Sequence, residues 1–292
     1  GLALGMTARE RVALTATASE IITALPVREG TTVTRGTVLV QFDDAIERAE
    51  VDLARANVAQ SEANLAKLTA GARAEEIAAA EADVTGARAR LRAANLTYER
   101  NRALVRSDAV TQARLDTDLA DRDAAQAVLT RAEEVLKELQ NGTRPEDLAM
   151  ARAELEANRA RLTAAERKLE DLTIRASRDG ILDSLPWNLG ERVSAGSPVA
   201  VLLGVDRLTV RAYVPEPYRA RLNAGDRLTV RVDGAGQAYE GVLRWISSDP
   251  AFTPYYALNQ SERSRLMYLA EITLPPEANA LPVGIPAQVV LP

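Results

Sequence analysis

The sequence predicts an α+β, elongated multidomain chain in which a long antiparallel helical hairpin interrupts a small β domain, with further β structure after it. Three observations lead there: aromatic residues avoid the middle of the chain, that middle carries sustained heptads, and its two flanks repeat one another. The chain holds two Trp, seven Tyr and two Phe. Between Asp44 and Leu172 the only one of these is Tyr98, and the only proline is Pro145. Ala, Leu, Arg and Glu, which are strong helix formers, fill that stretch. Val, Thr, Gly and Pro dominate the flanks and suit short strands and turns.

The flanks come first. Leu25-Pro-Val-Arg-Glu-Gly-Thr-Thr-Val-Thr-Arg-Gly-Thr-Val-Leu39 precedes the helical stretch. Leu185-Pro-Trp-Asn-Leu-Gly-Glu-Arg-Val-Ser-Ala-Gly-Ser-Pro-Val199 follows it, at an offset of 160. Leu25/Leu185, Pro26/Pro186, Gly30/Gly190, Val33/Val193 and Gly36/Gly196 coincide, the glycines marking tight turns between short strands. Two copies of one β unit, 19–44 and 173–204, are expected to close into a single small domain around the insert.

The insert, 45–172, reads in heptads. Ile77, Val84, Leu91, Tyr98 and Val105 recur every seven residues, with Ala80, Ala87, Ala94 and Asn101 between them. Leu148, Leu155, Leu162 and Leu169 do the same with Ala151, Asn158, Ala165 and Leu172, and Val51, Val58, Leu65, Leu129 and Leu136 extend the pattern. This is an a/d seam, large residues alternating with small, as in a two-helix antiparallel coiled coil. Leu68-Thr-Ala-Gly-Ala-Arg-Ala-Glu-Glu76 matches Leu139-Gln-Asn-Gly-Thr-Arg-Pro-Glu-Asp147, so each reads as a helix stop at Gly71 or Gly142 and an acidic restart. Pro145 suits the first turn of the new helix. The seam lapses at Ser107-Asp108-Ala109-Val110-Thr111, which places the turn near 107–111. Each arm then has about 60 residues and a length of roughly 90 Å. Gly71 and Gly142 fall at similar depth from that turn and are expected to form one hinge.

After the second β unit, Leu208–Val214 and Leu228–Val232 alternate apolar with polar residues, as half-buried strands do. A short helix is expected at Glu216–Asn223 between them. Tyr239–Ile246 and Leu266–Leu274 add strands, so 205–274 suits a small closed barrel. Ser247–Ser264, with Pro250, Phe252, Pro254, Tyr255 and Tyr256, reads as a long connection: an ordered loop on the barrel, or a contact for a neighbouring subunit or a transporter. Arg9–Ala18 and Pro282–Val290 are expected to pair, which would make a last β domain from 1–18 and 275–292.

Composition excludes much chemistry. There is no His and no Cys, which removes His-based zinc sites, Ser-His-Asp triads, thiol catalysis, iron–sulfur clusters and disulfides. Asp43 and Asp44 sit at a strand-to-helix junction, where they favour the helix start. No catalytic, cofactor-binding or metal-binding residue is predicted, and the chain reads as a non-enzyme. A net charge of −5 gives no basic face for nucleic acid. No apolar run approaches the length of a membrane span. The chain opens on Gly1, and an N-terminal signal or anchor preceding it is expected.

Together, the split β unit, Ala70-Gly-Ala-Arg-Ala-Glu-Glu-Ile77, Val210-Arg-Ala-Tyr-Val214, and Phe252-Thr-Pro254 followed by Arg265-Leu-Met-Tyr-Leu-Ala-Glu-Ile272 carry a family resemblance. The chain resembles the HlyD-type periplasmic adaptors, or membrane fusion proteins, and within them the YbhG-like adaptors of ABC-type exporters. The resemblance covers about Glu20 to Leu291. It implies that the split unit is a lipoyl-like (biotinyl-like) domain and that the domain from the chain ends is membrane-proximal. Lipoyl and biotin carriers present a modifiable lysine between their halves. Here that place holds Phe42-Asp43-Asp44 and the hairpin, so a carrier role is not expected. The resemblance further implies a periplasmic location with an anchor in the inner membrane, an inner-membrane transporter and a TolC-like outer-membrane channel as partners, and assembly as a hexamer.

Channel-binding adaptors of the family carry, at the hairpin tip, an Arg, a Leu four residues on and a Ser seven beyond that. This chain has Arg100, Leu104 and Thr111 at those spacings, with Asp116 also placed as in the family. Thr keeps the hydroxyl and adds a methyl group. The same residues also read as a solvated charge, a seam leucine and a helix N-cap. Two alternatives stay open: the four helical segments could fold into a compact bundle, and the chain could be a self-assembling coiled-coil scaffold or adhesin of the cell envelope with no channel partner.

Overall fold

The computed structural model describes residues 1–251 and 266–292. Two compact units emerge, Gly1–Asp44 with Glu170–Pro292, and Ala45–Leu169.

In the first unit the repeated flanks interlock. The first copy, which begins ahead of residue 19, supplies β2 (Arg11–Thr15), β3 (Glu20–Ala24), β4 (Thr32–Val33) and β5 (Val38–Phe42). The second supplies β6 (Thr173–Arg175), β7 (Gly180–Ser184), β8 (Arg192–Val193) and β9 (Pro198–Gly204). They form two four-stranded sheets, ordered β2-β9-β7-β4 and β6-β5-β3-β8. Each sheet thus takes its two central strands from one copy and its edge strands from the other, and the 160-residue offset converts one sheet into the other. The turns obey the same exchange. Gly30 N–H donates to Leu182 O (2.7 Å) and Gly190 N–H to Ile22 O (2.9 Å), while Gly36 N–H reaches Ala176 O (2.8 Å) and Gly196 N–H Ala16 O (2.7 Å). Between the sheets Ile22, Leu39, Val40, Phe42, Leu172, Leu182 and Leu202 are nearly or wholly buried. From Phe42 the chain passes through Asp43, whose N–H bonds Ile21 O at 2.8 Å, directly into the first helix.

The rest of the unit is a closed six-stranded barrel. It comprises β1 (Leu2–Ala8), β10 (Thr209–Pro215), β13 (Met267–Thr273), β12 (Ala238–Ile246), β11 (Arg227–Val232) and β14 (Pro286–Val290), in that order around the barrel. A single helical turn, α5 (Glu216–Arg219), follows β10. Val210, Ala212, Val214, Val230, Leu243, Ala270, Ile272 and Val289 fill its interior. This corrects the expected separate domain of 1–18 and 275–292. The chain ends do pair, but through Leu2–Ala8 and Pro286–Val290, and both strands are staves of the barrel. Arg9–Ala18 does not meet Pro282–Val290; its strand β2 pairs with β9 in the split domain. The physical reason is closure: β10 and β11 would otherwise be open edges, and β1 with β14 satisfies both. Arg9 braces the crossing between barrel and split domain, donating to the carbonyls of Asp206 (2.7 Å), Gly204 and Asn279. Arg178 pairs there with Glu10 and Asp206, and the hydrogen bond to Glu10 holds its guanidinium above the usual arginine pKa. The Phe252-Thr-Pro254 motif, Tyr255, Tyr256, Arg265 and the rest of the connection to Ser264 lie outside the described residues; before them, Ala251 bridges to Met267.

The second unit is four helices: α1 (Ala45–Ala70), α2 (Ala74–Val105), α3 (Gln112–Asn141) and α4 (Pro145–Glu170). α2 packs on α3 through Val84, Ala87, Leu91, Leu129, Ala132 and Leu136, the small residues letting the axes approach. α1 faces α4 across Glu50–Lys168 (2.8 Å), Arg55–Glu166 (3.1 Å) and Glu62–Arg159 (3.1 Å). The Glu50 hydrogen bond raises the Lys168 pKa, so this exposed contact persists from neutral pH until the ammonium deprotonates in the alkaline range. These pairings, first helix with last and second with third, are those of one hairpin. At its joint Gly71 and Gly142 take φ of +71° and +74°, where an L side chain is strained. The two breaks lie close together, since a Cβ on Gly71 would come 3.7 Å from Gly142 Cα. The Thr143 hydroxyl donates to Leu68 O across it (2.5 Å), and Glu76 caps the restart by accepting from Arg73 N–H (2.9 Å).

Candidate functional site

The turn joining α2 to α3 gathers the residues singled out by sequence. α2 ends in a Schellman motif: Ala109 N–H donates to Leu104 O (3.2 Å) and Asp108 N–H to Val105 O (3.1 Å). The Ser107 hydroxyl also donates to Leu104 O (3.0 Å). Asp108 occupies the left-handed position with φ +54°, which glycine takes at no steric cost. Asp108→Gly relieves about 1–2 kcal/mol of left-handed strain against an entropy cost of about 0.5–1 kcal/mol. The expected result is a gain on the order of 0.5 kcal/mol, read as a higher midpoint in the helical circular-dichroism melt.

Thr111 starts the return helix as its N-cap, with φ −76° and ψ 152°, and its hydroxyl accepts from Arg114 N–H (3.3 Å). On the outbound side the seam runs through Tyr98, Asn101 and Val105, and Leu104 lies beside it at 39% exposure. Leu104 is therefore not a seam residue. Arg100, one turn back on the same face, is exposed and makes no hydrogen bond or ion pair among the described residues. Its neighbour Arg102 is already engaged with Glu99 (3.5 Å). Asp116 is exposed on α3 and accepts from the Gln112 amide (2.9 Å). Arg100 and Leu104 thus share one face of α2, and Thr111 and Asp116 stand on the first turns of α3. The α2 face offers an exposed guanidinium and an apolar side chain, groups that can grip a helix end or carboxylates beside an apolar groove, while the Thr111 hydroxyl caps α3.

Beneath this face lies a cluster that the sequence reading did not single out. The Asp118 side chain is 2% exposed and sits 3.3 Å from Arg114 Nε. Asn101 Nδ2 donates to its Oδ2 at 2.5 Å. One turn deeper Arg122 stacks over the Tyr98 ring at 4.6 Å. The signal was present in part, because Asn101 occupies a heptad position otherwise held by Ala. Among the described residues no group of three or more potential metal ligands comes together, and no helix is long and apolar enough to cross a membrane.

Comparison with known proteins places the hairpin first. The YBHG alpha-helical hairpin domain matches residues 42–171. A UPF0194 membrane protein of Enterobacter sp. (strain 638) is 34% identical over 267 residues, 91% of this chain and 81% of that protein. The chain belongs to the YbhG (UPF0194) family. The UPF0194 membrane protein YbhG of Salmonella gallinarum is 33% identical over 92% of this chain and 81% of its own length. Among solved structures, MacA from Actinobacillus actinomycetemcomitans shares the fold with a TM-score of 0.62 at 18% identity, over 100% of this chain and 78% of that one. The membrane fusion protein Spr0693 from Streptococcus pneumoniae R6 gives 0.56 at 15% identity, over 100% and 98%. The fold of this YbhG-family chain is that of the HlyD-type membrane fusion proteins: a helical hairpin inserted in the sequence between the two halves of a split β domain, and a six-stranded barrel.

Proposed function

We propose that this YbhG-family chain is a periplasmic adaptor, held at the inner membrane, that joins an ABC-type exporter to a TolC-like outer-membrane channel. Arg100, Leu104, Thr111 and Asp116 make the channel contact, Gly71 and Gly142 form the hinge that lets the hairpin bend, and six copies form the conduit wall. The observation that carries the reading is the tip: Arg100 and Leu104 are presented side by side, exposed, and Arg100 has no hydrogen bond or ion pair among the described residues. The membrane-protein names of the relatives and the adaptor fold support the two-membrane setting. The family resemblance supports the channel partner, the exporter type and the hexamer.

The absence of cysteine makes the test direct. A single Cys at Thr111 is introduced into the protein in intact cells, beside a TolC-like channel carrying single cysteines at its periplasmic end. A specific adaptor–channel crosslink is expected. Crosslinks between adaptor copies alone would reject the channel contact and favour a self-assembling scaffold.

A further inference from the structure

Most of the hairpin seam is built of Ala, Val and Leu at heptad spacing. Such a seam specifies its register weakly, since a slip of one heptad sets equivalent residues opposite one another again. The joint at Gly71 and Gly142 adds to the difficulty, because two left-handed residues interrupt both strands of the coiled coil. Alignment on one side of the joint is therefore not handed on to the other through a continuous helix.

Each side holds a polar pair across its seam with at least one buried member. Between α1 and α4, Asn158 (7% exposed) donates through Nδ2 to Oγ of Ser61 (5% exposed) at 2.5 Å. Its Nδ2 also reaches Asn57 O at 3.5 Å, and its Oδ1 accepts from Arg161 Nη1 at 2.9 Å. Between α2 and α3, Asn101 donates to buried Asp118, which Arg114 also holds. We propose that these pairs are two independent register keys, and that Asn101 and Asp118 are the positioning residues that fix which side chains stand at the tip. Directional bonds are satisfied in one alignment only. A one-heptad slip would set Asn101 against Ala125 in one direction, or Asp118 against Ala94 in the other. Either would strand the half-buried Asn101 amide or the buried Asp118 carboxylate, which costs more than an apolar mismatch in the seam.

Paired spin labels on the cysteine-free full chain read the register as a distance. Labels at exposed Ala79 and Ala127 report the α2/α3 alignment, and labels at exposed Ala56 and Ala153 report α1/α4. The unmodified seam is expected to give one narrow distance for each pair. Asn101→Leu with Asp118→Leu should keep full helicity and add a second α2/α3 distance shifted by about 10 Å, one heptad of axial rise. The α1/α4 distance should not move. Exchanging the partners, Asn101→Asp with Asp118→Asn, should restore the single distance, a rescue that mere packing would not produce. A single unshifted distance in the leucine pair, loss of its helicity, or failure of the exchanged pair would overturn the register key. Movement of the α1/α4 distance would overturn the independence of the two halves.

Discussion

Charge reversal at the tip, Arg100→Glu together with Leu104→Glu, is expected to cut the Thr111→Cys crosslink to the channel by about tenfold or more. Truncating anchor residues at the centre of a docked interface commonly costs enough for that loss, and a carboxylate facing the former partner of a guanidinium adds repulsion. The helical circular-dichroism melt of the same variant should stay where it was. Arg100 has no partner among the described residues, Leu104 stands outside the seam, and neither change opens a cavity. An unchanged crosslink yield would remove both residues from the channel contact. A lowered melting midpoint would show that they support the hairpin itself.

A larger effect on stability is expected in the split domain. Phe42 is 1% exposed, its side chain packs between the two interlocked sheets, and its N–H bonds Leu172 O at 2.9 Å. Phe42→Ala should cost about 3–5 kcal/mol through lost burial and a residual cavity. Against a total stability of about 5–15 kcal/mol for a domain, that is enough to leave the split domain marginal. Trp187 packs against the same core and its indole N–H donates to Pro198 O (2.8 Å). In a Trp245→Phe background its fluorescence reports this domain, and the denaturant midpoint should fall by the corresponding amount. A loss below about 1 kcal/mol would mean that the halves repack around the gap.

How far the sequence reveals this structure depends on which face of each element carries the large residues. The hairpin was open to reading because Leu148, Leu155 and Leu162 lie in the seam while Arg and Glu face water, so pattern and burial agree. The duplicated β unit was legible through Gly30, Gly36, Gly190 and Gly196, although the offset alone does not say that the two copies exchange edge strands. β1 was missed for an identifiable reason. In Leu2–Ala8 the large residues Leu2, Leu4 and Met6 are 56%, 65% and 51% exposed, while Ala3 and Thr7 face the barrel interior at 1% and 2%. Its binary pattern is inverted, so apolar alternation pointed away from its true role. At the tip, Arg100, Leu104 and Thr111 could be named from spacing through the family resemblance. Asp118 could not, because nothing local marks it as buried. Its place becomes evident only when α3 lies against α2 and Asn101 donates to it.

The exchange of edge strands also sets a timetable for the ribosome. The first copy, β2 to β5, emerges with Ile22, Leu39, Val40 and Phe42 exposed and with its partner strands not yet made. Residues 45–169 must be synthesised next, which at roughly 5–20 residues per second leaves these apolar strands waiting on the order of ten seconds. Within the hairpin the helices and the α2–α3 pairing form within about a millisecond, far faster than synthesis, and α1 can meet α4 as soon as α4 has emerged. By the time β6 appears, the closed hairpin, with Lys168 already against Glu50, has turned a loop-closure problem of more than a hundred residues into a short one. The insert that separates the two halves is thus also the element that returns the second half to the first while the chain is still being made.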